Sequence, residues 1–167
     1  MVIWITGLSG SGKTALGKKI VEELQQRGFC VVHLDGDDLR RTLAPLSISA
    51  SHRPADRAKL AEVYSNLAFQ ITSQIDFVVV STISMFKTTY DRNRSYGQPY
   101  FEIYLRSIVD PEKSLGFSGA VAGRDFQVDI PTDPDFVWSM GQDGGLLDIQ
   151  GLISLVLEKK SLNKKYE

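Results

Sequence analysis

The sequence is short of the residues that build disulfide scaffolds, metal centres and membrane anchors. Its single cysteine, Cys30, cannot form an internal disulfide, and its place in the apolar run 29–34 predicts a buried core thiol in a reducing compartment. The histidines, His33 and His52, lack a partner at ligand spacing, so no zinc site is expected. No apolar run approaches the roughly 18 residues of a membrane span, and no charged leader precedes the first apolar run. These absences predict a cytoplasmic protein with no membrane association.

An excess of charge of either sign is also missing. The net charge is −1, which argues against a track for binding nucleic acid. The four lysines between Lys159 and Lys165 are predicted to be solvated. The length, with no internal repeat or linker, predicts one domain over residues 1–167 that buries a core of its own.

The sequence does contain a phosphate-binding loop near its start. The pattern G-x-x-x-x-G-K-S/T is matched by Gly7-Leu8-Ser9-Gly10-Ser11-Gly12-Lys13-Thr14, between an apolar run and a segment with helical spacing. Such a loop turns backbone N–H groups and a helix N-terminus toward phosphate oxygens. We therefore predict that Mg-ATP binds here, with Lys13 on the β- and γ-phosphates and Thr14 on Mg²⁺. The other predicted ATP contacts are Gly7, Ser9, Gly10, Ser11 and Gly12.

Apolar runs typical of strands alternate with helical patterns along the chain. Strands are predicted at 2–5, 30–34, 77–81, 101–105 and 136–138, and helices near 13–27, 54–73, 87–95 and 145–158. This alternation predicts an α/β fold, with a five-stranded parallel sheet covered by helices on both faces. Ligands of such sheets bind at the carboxyl ends of the strands, which selects residues 7–14, 35–40, 81–86 and the segment after Leu105.

Three carboxylates follow the second predicted strand in what the composition indicates is a tight turn. The segment reads Asp35-Gly36-Asp37-Asp38-Leu39-Arg40-Arg41. Asp35 or Asp37 could orient an acceptor hydroxyl and take its proton, or hold Mg²⁺ through water, while Arg40 neutralises an anionic substrate. The alternative is a surface turn with a helix cap, because Asp and Gly are common in both places.

Further cations and hydroxyls follow in positions that suit an anionic substrate. Arg53 and Arg57 are four residues apart where a helix opens at Pro54, so they either clamp an anion or form a solvated group with Asp56. After the third strand comes Ser81-Thr82-Ile83-Ser84-Met85-Phe86, and then Arg92 and Arg94. These arginines either pair with substrate phosphates or are exposed to solvent.

A glycine-rich stretch from about 110 to 131 is predicted to be a lid. It contains Gly116, Gly119 and Gly123, with Lys113 and Arg124 as isolated cations. Kinases close over their substrates to exclude water, and glycines permit the hinge. Lys113 would then cover ATP. The alternative is a loop that is merely disordered.

The motifs together resemble those of the adenylylsulfate (APS) kinase family. They are the loop 7–14, Leu34-Asp35-Gly36-Asp37-x-Leu39-Arg40, Asp56-Arg57 at a helix start, and Val128-Asp129-Ile130-Pro131. The resemblance implies a three-layer P-loop kinase fold, commonly dimeric, so a homodimer is expected. It implies Mg-ATP-dependent phosphorylation of the ribose 3′-hydroxyl of a small nucleotide-type substrate. By position it assigns Asp35, Asp37, Arg40 and Ser84 to the site.

The sequence departs from the APS kinase pattern at several substrate-side positions. Asp38 replaces an asparagine, and Leu60, Glu62 and Val63 replace an asparagine and two arginines of the helix after Asp56-Arg57. The family's Phe-Ser before that helix is absent from 49–52, and its lid motif is reduced to Glu112-Lys113-Ser114-Leu115-Gly116-Phe117, without the Arg-Asp that begins it. These departures favour an acceptor other than APS.

A divergent branch, the cytidine diphosphoramidate kinases, resembles this chain where the APS kinases differ from it. The shared features are Ile83-Ser84-Met85-Phe86, Asn93-Arg94 and Tyr100-Phe101-Glu102-Ile103-Tyr104. This resemblance implies CDP-phosphoramidate as acceptor, in capsule decoration, with APS as the alternative. A catalytically weak nucleotide-binding protein is a further alternative. The predicted substrate contacts are Asp37, Arg40, Arg57, Ser84, Met85, Phe86 and Arg94.

Overall fold

The computed structural model describes residues 1–46, 53–106, 127–139 and 147–163. Within them, the five predicted strands and the four predicted helices are present, together with one further helix. The strands are β1 (Val2–Gly7), β2 (Val31–Asp35), β3 (Phe77–Ser81), β4 (Tyr100–Arg106) and β5 (Phe136–Ser139). The helices are α1 (Lys13–Gln26), α2 (Gly36–Thr42), α3 (Pro54–Ile71), α4 (Lys87–Ser95) and α5 (Ile149–Asn163).

The five strands form one parallel sheet in the order β2-β3-β1-β4-β5. β1 lies at the centre and pairs with β3 on one side and β4 on the other, so all six of its residues are buried. The strands that follow β1 in the sequence are therefore added first on one side of it, as β2 and β3, and then on the other, as β4 and β5. In open α/β sheets this reversal creates a crevice at the carboxyl ends of the strands.

Two apolar layers cover the sheet and make it a three-layer structure. Side chains alternate along β1, so Ile3 and Ile5 pack with α1 and α5, while Val2 and Trp4 pack with α3. The unbroken apolar runs of β1 and β3 are thus explained, because both faces of these strands are buried. The predicted α/β class and sheet are confirmed.

The structure corrects three local expectations. The turn predicted after β2 is the helix α2, and Asp35 caps it by accepting a hydrogen bond from the Asp37 N–H at 2.9 Å. Cys30 is exposed rather than buried, because it precedes β2 at the edge of the sheet. Lys160 is not solvated: its ammonium donates to the Asp76 carbonyl at 3.1 Å and lies 4.0 Å from the Phe77 ring centroid.

Some expectations fall where the structure is not described. Lys113 and most of the predicted lid at 110–131 lie outside the described residues, as do 145–146, where the last helix was predicted to begin. Among the described helices, none combines the length and the hydropathy that crossing a membrane requires.

Candidate active site

A cavity of about 370 Å³ opens at the carboxyl ends of β1, β2 and β3. It brings together segments that lie far apart in the sequence: the glycine-rich loop, the start of α2, one face of α3 and the residues after β3. The predicted site residues that line it are Ser9, Gly10, Gly12, Lys13, Thr14, Asp35, Asp37, Arg40, Arg57, Ser84, Met85 and Phe86. We refer to this cavity as the cleft.

The loop geometry depends on glycine at its two ends. Gly7 has φ +155°, and a Cβ there would lie only 2.5 Å from the Leu105 carbonyl oxygen, so any larger residue would force β1 and β4 apart. Gly12 has φ +87° and is the N-cap of α1. Helix α1, described throughout, has no side-chain cap hydrogen bond and no acidic residue in its first turn. This helix N-terminus is suited to an anion such as a phosphate.

Lys13 lies at the start of α1 and is held inside the loop. Its ammonium donates to the Leu8 carbonyl at 2.6 Å and to the Ser11 hydroxyl at 3.4 Å. Burial lowers the pKa of Lys13 from 10.5 to about 8, although the Asp37 and Asp35 carboxylates counteract it. The positive charge of Lys13 is thus only partly balanced by the groups around it, and a bound phosphate group would balance it further.

The pKa of Lys13 predicts a pH dependence of ATP binding. The protonated Lys13 side chain attracts phosphate. In the free protein it loses its proton, and with it its positive charge, as pH rises through about 8. Affinity for Mg-ATP should therefore be full below pH 8 and fall above it, by up to about tenfold per pH unit. Titrations with Mg-ATP at pH 7, 8 and 9 measure this affinity. Lys13→Ala is the control, because its weaker affinity should be the same at all three pH values. A wild-type affinity that does not change with pH would contradict the prediction.

Thr14 and Asp35 form a pair of oxygen donors beside Lys13. The Thr14 hydroxyl donates to Asp35 Oδ2 at 2.6 Å. Burial would raise the pKa of the Asp35 carboxyl, but hydrogen bonds from Thr14 and from the N–H groups of Asp37 and Asp38 outweigh it and hold that pKa below its usual value. An ionised carboxylate next to a hydroxyl is a donor set that suits Mg²⁺. Asp35 is therefore both the helix cap and a cleft residue.

The opposite side of the cleft carries cations. Arg40 forms an ion pair with Asp37, one helical turn away on α2. Arg57 lines the cleft from α3, and burial together with the charge of Arg40 lowers its pKa. Arg53 does not join Arg57 in a clamp, because its guanidinium lies 2.7 Å from the Asp56 carboxylate. One arginine of the predicted pair is thus in the site.

The residues after β3 form a closely packed wall. The hydroxyls of Thr82 and Ser84 are 2.8 Å apart, and Met85 is 1% exposed. Four further residues line the cleft although none of them was among the predicted contacts: Leu60, Tyr64, Ile83 and Val128. The spacing of Arg57, Leu60 and Tyr64, at i, i+3 and i+7, was the available signal that they share a helix face.

Arg94 does not lie with the other predicted substrate residues. Its guanidinium donates to Glu102 Oε2 at 2.5 Å and to the Asp133 carbonyl at 3.2 Å, and it is not among the residues that line the cleft. Arg92 likewise pairs with Glu62 at 2.5 Å. Both cations at the end of α4 are thus paired with carboxylates of the protein itself, and the position of Arg94 is better explained by its pairing with the buried carboxylate of Glu102.

Glu102 lies on β4, is 1% exposed, and predicts an unusual pH dependence of stability. Burial raises the pKa of its carboxyl from 4.5 to about 7, against the effect of Arg94. The folded protein therefore holds this proton more tightly than the unfolded chain does. The contribution of Glu102 to stability is full below pH 4.5 and is lost as pH rises through 7, by about 3 kcal/mol.

Glu102→Gln isolates this effect. Relative to the wild type, the variant should gain on the order of 2–3 kcal/mol in free energy of unfolding between pH 5 and 7.5. Urea unfolding of both proteins at each pH measures the difference in their free energies of unfolding. The contributions of the other titrating groups are the same in both proteins and cancel in that difference. A gap between the two proteins that does not change with pH would refute the expectation.

The chain is similar in sequence to known kinases. The family model for adenylylsulphate kinase matches residues 1–115. A cytidine diphosphoramidate kinase from Campylobacter jejuni is 38% identical over 107 residues, 62% of this chain and 59% of that protein. A probable adenylyl-sulfate kinase from Archaeoglobus fulgidus is 30% identical over 148 residues, 81% of this chain and 93% of that protein. The match thus spans about three-fifths of the first relative's length.

The fold is shared with solved structures. The structure of the Mycobacterium tuberculosis APS kinase in complex with AMPPNP and APS superposes with a TM-score of 0.77 at 25% identity, over 93% of this chain and 96% of that one. The similarity extends beyond residue 115, where the family model ends.

Proposed function

Because the chain belongs to the adenylylsulphate kinase family, we propose that it is an ATP-dependent phosphotransferase that phosphorylates the ribose 3′-hydroxyl of a small nucleotide. The observation that carries this proposal is the cleft itself. It brings together the glycine-rich loop with Lys13 and Thr14, the carboxylates of Asp35 and Asp37, and the cations of Arg40 and Arg57.

The loop side of the cleft suits Mg-ATP. Lys13, the backbone of the loop and the N-terminus of α1 would hold the phosphates, and Thr14 with Asp35 would hold Mg²⁺, directly or through water. Bound there, Mg-ATP supplies the transferable phosphoryl group together with a metal ion that neutralises its charge. Lys113 remains a proposed further contact to ATP.

The other side of the cleft suits the acceptor. Both oxygens of Asp35 already accept hydrogen bonds, from Thr14 and from the Asp37 N–H, whereas Asp37 is 77% exposed and held by Arg40. We therefore assign the acceptor hydroxyl to Asp37, which would orient it and take its proton. Arg40 and Arg57 would bind the acceptor's phosphates. Such transfers depend mostly on alignment and on charge stabilisation.

CDP-phosphoramidate is the acceptor we favour. Two observations support it: the relative named for this substrate is 38% identical, and the segment Ile83 to Phe86, which resembles that branch, lines the cleft. APS is the second candidate, because adenylyl-sulfate kinases are also relatives at 30% identity. We further propose a homodimer in the cytoplasm, where ATP is available; light scattering on the purified protein measures the mass.

The proposal is tested by following ADP release from Mg-ATP. CDP-phosphoramidate, APS, CDP and CMP are offered separately to the purified protein. We expect turnover with CDP-phosphoramidate to exceed turnover with the other three. Preferred turnover of APS would replace the favoured acceptor with the second candidate, and ATP binding without transfer to any acceptor would support a nucleotide-binding protein instead.

A further inference from the structure

The described end of the glycine-rich stretch, from residue 127 onward, is attached to the start of α4 through Asp129. Its backbone N–H donates to the Met85 carbonyl at 3.0 Å. Its side-chain Oδ2 accepts from the Lys87 N–H at 2.7 Å, and its carbonyl accepts from the Tyr90 hydroxyl at 3.0 Å. One residue thus makes three hydrogen bonds to one short stretch of chain.

The side-chain bond supplies what α4 itself lacks. The N-cap of α4 is Phe86, whose side chain has no polar atom and makes no cap hydrogen bond of its own. A carboxylate at a helix N-terminus satisfies a free N–H group and interacts favourably with the helix dipole. Asp129, more than forty residues away in sequence, therefore acts as the cap, which links the position of α4 to that of its own segment.

The residues on either side of this attachment form part of the cleft wall. Val128, next to Asp129, lines the cleft, and so do Met85 and Phe86, whose backbone borders α4. None of these residues belongs to the phosphate-binding loop. A shift of Asp129 would therefore move the wall on the acceptor side and leave the ATP side in place.

We propose, on the basis of the function proposed above, that Asp129 is a positioning residue for the acceptor. By binding the start of α4, it fixes the position of Val128 relative to Met85 and Phe86, and so sets the shape of the acceptor side of the cleft. It touches neither substrate. Its effect is on how well the acceptor is held, and the chemistry at Lys13, Asp35 and Asp37 does not depend on it directly.

The test compares Asp129→Ala with Asp129→Asn in steady-state kinetics with Mg-ATP and CDP-phosphoramidate. Asp129→Ala should raise the KM for the acceptor by about fivefold to tenfold, with the KM for ATP within about twofold of the wild type. Asp129→Asn keeps an oxygen that can accept from the Lys87 N–H and should restore most of the loss.

Tyr90→Phe, which removes only the hydroxyl that donates to the Asp129 carbonyl, should raise the same acceptor KM. Asp91→Ala is the matched control, because Asp91 pairs with the Lys87 side chain on the exposed face of α4.

Three kinetic results would overturn the proposal. They are an unchanged acceptor KM in Asp129→Ala, an equal rise in both KM values, and an asparagine variant that is as impaired as the alanine variant. Hydrogen exchange at the Lys87 and Asp129 amides separates this proposal from the proposed function, because it needs no turnover. If the wild type shows no turnover with any acceptor, the proposed function is wrong. Unchanged exchange at both amides in Asp129→Ala would show, without any turnover, that Asp129 does not hold the start of α4, and would overturn the present proposal as well.

Discussion

Lys13→Ala should remove phosphoryl transfer while the protein remains folded. Lys13 is the cation of the phosphate-binding loop, and its ammonium donates to the Leu8 carbonyl and interacts electrostatically with the carboxylates of Asp37 and Asp35. Removal of a charge-stabilising donor from an active site costs about 10²–10³ in rate. Here the same group also binds ATP, so kcat/KM for Mg-ATP should fall by at least about that factor.

The control for this substitution lies five residues further along the same helix. Lys18 is exposed on α1 and does not line the cleft, so Lys18→Ala removes an equal charge from α1 without touching the loop. It should retain the kcat/KM of the wild type. Thermal unfolding of both variants should stay cooperative, since neither side chain belongs to the core. Turnover near that of the wild type in Lys13→Ala would defeat the assignment of the loop.

Asp37→Asn should lower kcat by about 10²-fold or more with little change in the KM for ATP. The substitution keeps the size of the side chain and removes the charge that would orient the acceptor hydroxyl. Asp35→Asn should also lower kcat, and in addition raise the Mg²⁺ concentration needed for half-maximal rate. Asparagine caps helices as well as aspartate does, so α2 should persist in that variant.

Asp38→Asn is the matched control in the same turn of α2. Asp38 pairs with Arg41 and does not line the cleft, so its loss of charge should leave kcat within about twofold. Initial rates over a range of Mg²⁺ concentrations compare all three variants. If Asp35→Asn and Asp37→Asn respond alike to Mg²⁺, the division of roles between them is wrong.

The fold was predictable because its signals are local and repeated. Val2 to Ile5 and Phe77 to Ser81 are short apolar runs followed by helical spacing, and only a parallel sheet buries such runs on both faces. The loop of residues 7–14 was equally readable, since each of its fixed residue types has a backbone or phosphate role. Helix α2 was missed because a seven-residue helix that opens with Gly36 and two aspartates has the composition of a turn.

The site was only partly predictable, because charge composition does not say which partner a cation has. Arg40, Arg57 and Arg94 are alike in the sequence, yet Arg94 is drawn to Glu102 on β4, and that pairing depends on tertiary structure. Cys30 was misjudged for a related reason: its run is apolar, but its place at a sheet edge is set by strand order. Leu60 and Tyr64 belong to the cleft only because of where α3 packs.

The most direct test of the central claim is phosphorus NMR of the product made from Mg-ATP and CDP-phosphoramidate. The proposed mechanism predicts one new phosphate monoester per ADP released, with coupling to the ribose H3′ proton. Release of inorganic phosphate alone, or a new phosphate coupled to H2′ instead of H3′, would contradict it.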